Sequence, residues 1–67
     1  MRSVIRVFDL KNASDVIKIK KAISSKTGVL AIQINIDKSE ISIVYDDYFL
    51  AIDEIMDCIE DIGYSII

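Results

Sequence analysis

At 67 residues the chain is long enough for one small domain, spanning residues 1–67, and no more. Its net charge of -3 leaves no dominant basic face, which excludes a general nucleic-acid binder. The single cysteine, Cys58, excludes an internal disulfide, so a core of this size must rely on dense packing, which the isoleucine-heavy 52% hydrophobic content supplies.

The start, Met1-Arg2-Ser3-Val4, runs directly into a strand pattern with no apolar leader and no spanning segment. With one unpaired cysteine suiting a reducing compartment, the expected location is cytoplasmic, without membrane insertion. Residues 3–8, SVIRVF, alternate with period two: Ile5 and Val7 share one face, and Val4, Arg6 and Phe8 the other. Asp9 to Asn12 break the pattern. Val16, Ile19 and Ile23 then recur at helical spacing, predicting a helix from about Ala13 to Lys26, with Gly28 ending it in a left-handed conformation. From Gly28 to Asp46, Ile32, Ile34 and Ile36, then Ile41, Ile43 and Tyr45, mark two half-buried strands joined by a polar loop at 37–40. A loop near Asp47 to Phe49 leads into a second helical stripe of Ile52, Ile55, Met56, Ile59 and Ile62, closed by Gly63, and Tyr64 to Ile67 form a last short strand. The order βαββαβ, with one apolar stripe per helix and one apolar face per strand, predicts an α+β, ferredoxin-like two-layer sandwich with a four-stranded antiparallel sheet. The sheet's second face should be open to water, with Val4, Phe8 and Val44 making it partly apolar.

Several of these residues carry a family resemblance. Gly28-Val29 after the first helix, Ile34-Asn35-Ile36, Ile41-x-Ile43-x-Tyr45-Asp46 and, most of all, Ile59-Glu60-Asp61-Ile62-Gly63-Tyr64 resemble the heavy-metal-associated domain of copper chaperones and of the N-terminal regions of metal-transporting P-type ATPases. The resemblance covers nearly the whole chain and implies both the ferredoxin-like fold and a role in carrying soft metals such as Cu(I). The family's chemistry resides in a Gly-Met-x-Cys-x-x-Cys motif, whose two thiolates select a soft ion. Register set from Gly28 puts that motif on Asp9-Leu10-Lys11-Asn12-Ala13-Ser14-Asp15. Leu10 takes the place of the methionine that anchors the loop, Asp9 replaces the glycine, and Asn12 and Asp15 fall where the cysteines would be. Tyr64 resembles the aromatic that neighbours the metal loop in bacterial members, where packing against Leu10 is expected.

Asn12 and Asp15 admit two readings. As a helix start, Asn12 is a preferred N-cap and Asp15 can bond back in a capping box, facing the positive end of the helix dipole. As ligands, Asp9, Asn12 and Asp15 would form an oxygen site, but three side chains are few for a cation that takes six to eight oxygens. Cys58, beside the apolar stripe of the second helix, reads as a small buried apolar group rather than a reactive or metal-binding thiol.

Charge divides between the helices: Lys18, Lys20 and Lys21, with Lys11 before them, against Asp53, Glu54, Asp57, Glu60 and Asp61. The resemblance implies docking of such faces onto a metal-transporting ATPase or a related domain, and complementary faces also favour weak self-association. An RNA-binding domain of this shape needs aromatics on the open face of its central strands, and only Phe8 points that way. Without a histidine, a nucleophile–base pair or a paired-acid cleft, no enzyme is expected, and no cofactor. The leading expectation is a heavy-metal-associated-like domain without the thiolate pair that acts by protein contact in metal handling. The alternative is a metal binder with a non-cysteine or intermolecular site.

Overall fold

The computed structural model describes residues 1–67 and contains β1 (Arg2–Arg6), α1 (Ala13–Ser24), β2 (Val29–Asn35), β3 (Glu40–Tyr45) and α2 (Ile52–Asp61). The antiparallel sheet has the order β1-β3-β2, so the most regularly alternating stretch of the sequence is its central strand. Ile43 lies between Ser3 of β1 and Ile32 of β2. Ile41, Ile43 and Tyr45 are buried against the helices while Ser42 and Val44 lie on the opposite face, as the period-two pattern requires. Ile19 and Ile23 of α1 and Ile55 and Ile59 of α2 complete the layer contact, and all four are fully excluded from solvent. Ile62, expected at the end of the α2 stripe, is exposed instead, because it lies past the last helical residue at the C-cap.

The sheet has three strands rather than the expected four. Tyr64 is taken up in ending α2: its N–H bonds back to the Ile59 carbonyl, and the Gly63 N–H to that of Glu60, a Schellman closure that uses the positive φ of Gly63. Residues 65–67 lie beside β1 through one isolated bridge, Val7 with Ile66. Two backbone bonds hold them beside β1: the Phe8 N–H donates to Ser65 at 2.8 Å and the Ile67 N–H to Arg6 at 3.0 Å.

α1 also ends early, at Ser24 rather than Lys26. The Ser25 hydroxyl donates to the Ala22 carbonyl at 2.8 Å and the Ser24 hydroxyl to that of Lys21, closing the last turn with side chains. Gly28 is therefore not the helix terminator. Its φ of +102° serves the entry to β2, where a Cβ would lie 3.1 Å from that of Phe49 and 3.3 Å from that of Leu50. Leu50, in the loop before α2, is buried at 4% exposure and joins the core, a contribution no periodic pattern marks. The hairpin turn occupies residues 36–39, one residue earlier than expected, with the Lys38 N–H donating to Asn35 Oδ1 and Ser39 at positive φ. No helix is long and apolar enough to cross a membrane.

Candidate functional site

The loop between β1 and α1 follows from its own residues. Asp9 adopts a left-handed conformation, φ 63°, which aspartate tolerates better than most residues. Leu10 then turns into the core at 5% exposure, anchoring the loop as its place in the motif implies. Asn12 is the N-cap of α1, with extended backbone, and its Oδ1 accepts from the Asp15 N–H at 3.2 Å. In return Asp15 Oδ2 accepts from the Asn12 N–H at 3.2 Å and from the Lys11 N–H at 3.0 Å. Donors that the first turn would leave orphaned are thus satisfied by two side chains.

The second carboxylate oxygen of Asp15 accepts a short hydrogen bond from the hydroxyl of Tyr64, which reaches it from the far end of the chain. Tyr64 and Leu10 both belong to the buried core cluster, and the hydroxyl contact to Asp15 is not legible in the sequence. The only sequence signal was an aromatic at the position neighbouring the loop. The Tyr64 hydroxyl, helped by the Lys11 and Asn12 amides and the charge of Lys18, holds the Asp15 carboxyl below the usual carboxylate range. Burial, reinforced by the bond to Asp15 and its charge, pushes the Tyr64 phenol up to about 12.

The signs of the two pH dependences follow. Asp15 stabilises the fold above the pKa it has in the unfolded chain, and this is lost as pH falls through its lower folded value. Tyr64 keeps its proton in the folded state after the unfolded chain has lost its own, so its contribution disappears as pH rises from about 10 to about 12. Denaturant titrations from pH 9 to 12 should show a steeper loss of stability in the wild type than in Tyr64→Phe, and parallel curves would refute the buried, bonded phenol. Asn12→Ala should cost about 1 kcal/mol, a typical N-cap loss. Chemical denaturation at pH 7 measures it, and a change indistinguishable from zero would remove the capping role.

Of the three sequence-predicted oxygen ligands, Asn12 and Asp15 are brought together, with Asn12 Oδ1 and both Asp15 oxygens already accepting hydrogen bonds. Asp9 is turned to Lys11, whose Nζ stands 3.7 Å from its Oδ1. No group of three or more histidine, cysteine, aspartate or glutamate side chains is disposed to hold a metal ion. The donors in the loop are an amide and carboxylates, which are hard, and the chain has one cysteine, so they do not fit a soft monovalent ion. Cys58 is half-buried against the core on α2 rather than fully enclosed. The intermediate burial follows from its position at the border of the stripe, between exposed Asp57 and buried Ile59. Lys11, Lys18, Lys20 and Lys21 are all exposed, and apart from the contact between Lys11 and Asp9 none is in an ion pair.

No model of a known protein family matches the chain. It is, however, 31% identical over 49 residues to the copper chaperone CopZ of Staphylococcus aureus strain bovine RF122 / ET3-1, covering 73% of this chain and 72% of that protein. The same figures hold for the protein of strain MRSA252. Among solved structures, a CopZ metallochaperone superposes with a TM-score of 0.96 at 24% identity over 100% of both chains. Oxidised MerP from Ralstonia metallidurans CH34 gives 0.89 at 22% identity, covering 98% of this chain and 94% of that one. A copper binding domain from HMA7, a P-type ATPase, gives 0.89 at 19% identity, covering 98% and 92%. At these identities the structural likenesses establish the fold.

Proposed function

Since this chain belongs to the heavy-metal-associated-domain family of copper chaperones, we propose that it takes part in metal handling by docking onto a protein, without holding the metal on its own loop. The observation that carries this reading is the Asn12–Asp15–Tyr64 network. At the positions matching the family's two thiolates stand a helix cap and a carboxylate, each engaged in internal hydrogen bonds. A thiolate pair is thereby replaced by groups that stabilise the helix start. The loop keeps its anchor, Leu10, so the shape that a partner would recognise is retained while the ligands are not.

The partner would be a metal-transporting ATPase or a related domain in the cytoplasm, met through Lys11, Lys18, Lys20 and Lys21. Exposed lysines on α1 and in the loop before it steer association with an acidic face and are screened by salt, so docking should weaken as ionic strength rises. No catalysis is assigned, because no nucleophile is paired with a base anywhere in the chain.

The test is competition against a Cu(I) chelator under reducing conditions. The wild type should show no site tighter than micromolar, since it lacks both the thiolate pair and histidine. A tight one-to-one complex would sink this reading and favour the alternative, a metal site built without cysteine from Asp9, Asn12 and Asp15.

A further inference from the structure

β2 enters the sheet from α1 through residues 25–28 and leaves it through the turn to β3, so internal connections set it at the sheet's margin. Antiparallel strands alternate the direction of their hydrogen bonds. The Tyr45 N–H donates to Met1 and the Val7 N–H to Ser39, so the odd-numbered residues of β3 bond toward β1. The Asp46 N–H donates to Gly28, so the even-numbered ones bond toward β2, where their partners are Ala31, Gln33 and Asn35. The N–H and C=O groups of Ile32 and Ile34 therefore point away from β3, at an edge that pairs with no other strand of the sheet. Edge strands are ordinarily protected by a charge, a proline or an irregularity. β2 has no charged residue and no proline, and its bulge, between Val29 and Ala31, leaves Ala31 to Asn35 regular. Alongside the edge runs a groove of about 340 Å³, walled by Lys20 and Ser24 of α1 and by Leu30 and Ile32. Ile17 continues the α1 wall, because it precedes Lys20 by three residues and Ser24 by seven. Ile17 and Leu30 are 63% and 69% exposed.

We infer that this edge takes a second copy of the chain: β2 pairs antiparallel with the β2 of the other copy about a two-fold axis through Gln33, joining the two sheets into one. In this register Ile32 of each copy exchanges both backbone bonds with Ile34 of the other. Gln33 meets Gln33 on the open face, where two side-chain amides can bond to each other. Ala31 stands across from Asn35 and Leu30 across from Ile36. No charged residue of either strand faces another, and Ile32 and Ile34 form apolar cross-strand pairs on the helix side.

A flexible segment of a foreign protein fits less well. It would have to be ordered on binding, whereas the β2 of a second copy is already held extended by β3. It would also find no charge on β2 to select it. Lys20 is the one charge on the groove, and its stem can lie along the apolar wall with the ammonium in water. A two-fold contact uses the same patch on both copies, so association stops at the dimer. The inference goes beyond the lysine-face docking above and does not depend on it.

Sedimentation equilibrium of the 67-residue chain from about 10 µM to about 1 mM should show monomer and dimer and nothing larger. The Ile32 and Ile34 amides should exchange at least ~10-fold more slowly in the dimer than in the monomer, because they leave solvent for a ladder. Raised ionic strength should strengthen the dimer, since it brings the Lys20 of both copies to one seam, whereas docking onto an acidic partner responds with the opposite sign. Gln33→Glu and Gln33→Lys, at an exposed position that leaves the core untouched, should each dimerise several-fold more weakly than the wild type. Their equimolar mixture should recover the lost affinity as a heterodimer, because unlike charges then meet on the axis. A monomer throughout this range, a dimer that leaves the Ile32 and Ile34 amides unprotected, or a mixture that associates no more tightly than either variant alone would each overturn the inference. So would oligomers larger than the dimer, or a dimer that salt weakens.

Discussion

Asn12→Cys combined with Asp15→Cys should convert the chain into a one-to-one Cu(I) binder under reducing conditions, with a higher melting temperature when metal is present than when it is absent. The two thiols would stand at the N-cap and in the first turn of α1, where the positive end of the helix favours the thiolates that bind metal. The scaffold is in place: Leu10 is buried under the loop and Asp9 already adopts a left-handed backbone that glycine would take without strain. In the apo state the variant should be less stable. Loss of the Asn12 cap costs about 1 kcal/mol, loss of Asp15 adds to this, and the buried Tyr64 hydroxyl is left to find a new acceptor. A thiolate at position 15 can serve, so Tyr64→Phe in the same background should weaken metal binding. Cu(I) binds only the folded state, so at a thousand times its dissociation constant it should return about 4 kcal/mol and more than offset the lost cap. Asp9→Gly as a third change should tighten the complex, because a carboxylate beside two thiolates raises their pKa. If the folded double variant, with or without that change, binds no Cu(I), the register set from Gly28 is wrong and the assignment of this loop fails with it.

Ile43→Ala should be the most damaging single truncation. Ile43 is fully buried in the central strand, with a neighbouring strand on each side and both helices above. Such a deletion costs about 2–5 kcal/mol through lost burial and the cavity left behind. A domain of 67 residues has roughly 3–10 kcal/mol in total. The melting temperature should therefore fall by roughly 10–30 °C. Val44→Ala, one residue on and on the open face, should cost less than about 1 kcal/mol, because a half-exposed side chain loses little on truncation. Thermal and urea denaturation of the pair tests the alternation directly. Similar losses at the two positions would mean that β3 is not faced as its pattern dictates.

What could be read beforehand divides by the range of the interaction. Ile41, Ile43 and Tyr45 alternate within one strand, and Asn12 and Asp15 lie three residues apart, so their roles are written in local spacing. α1 stops short of Gly28, the stronger punctuation mark in the sequence, because the hydroxyls of Ser24 and Ser25 close the last turn first. Tyr64 looks like a strand residue in isolation, so the sequence pattern points to a fourth strand that the sheet does not contain. Its side chain and its N–H are instead committed to Asp15 and to the end of α2. Leu50 and the Asp15–Tyr64 bond depend on tertiary approach, and no window of sequence contains both partners.

The hydroxyl of Tyr64 joins residues 49 positions apart in the chain. Its own segment is also held by the packing of Tyr64 in the core, the Tyr64 N–H bond to Ile59, one bridge and two further backbone bonds, fewer ties than the central strand has, so it should open more readily than that strand. When it lifts, the acceptor of Tyr64 at the start of α1 is released with it. Two regions that would fray separately thus behave as one cooperative opening unit, and the amides of Asp15 and Ile67 should share an exchange regime distinct from that of the central strand. A substitution at the C-terminus is therefore felt as looseness of the loop on the other side of the sequence, although nothing near that loop has changed.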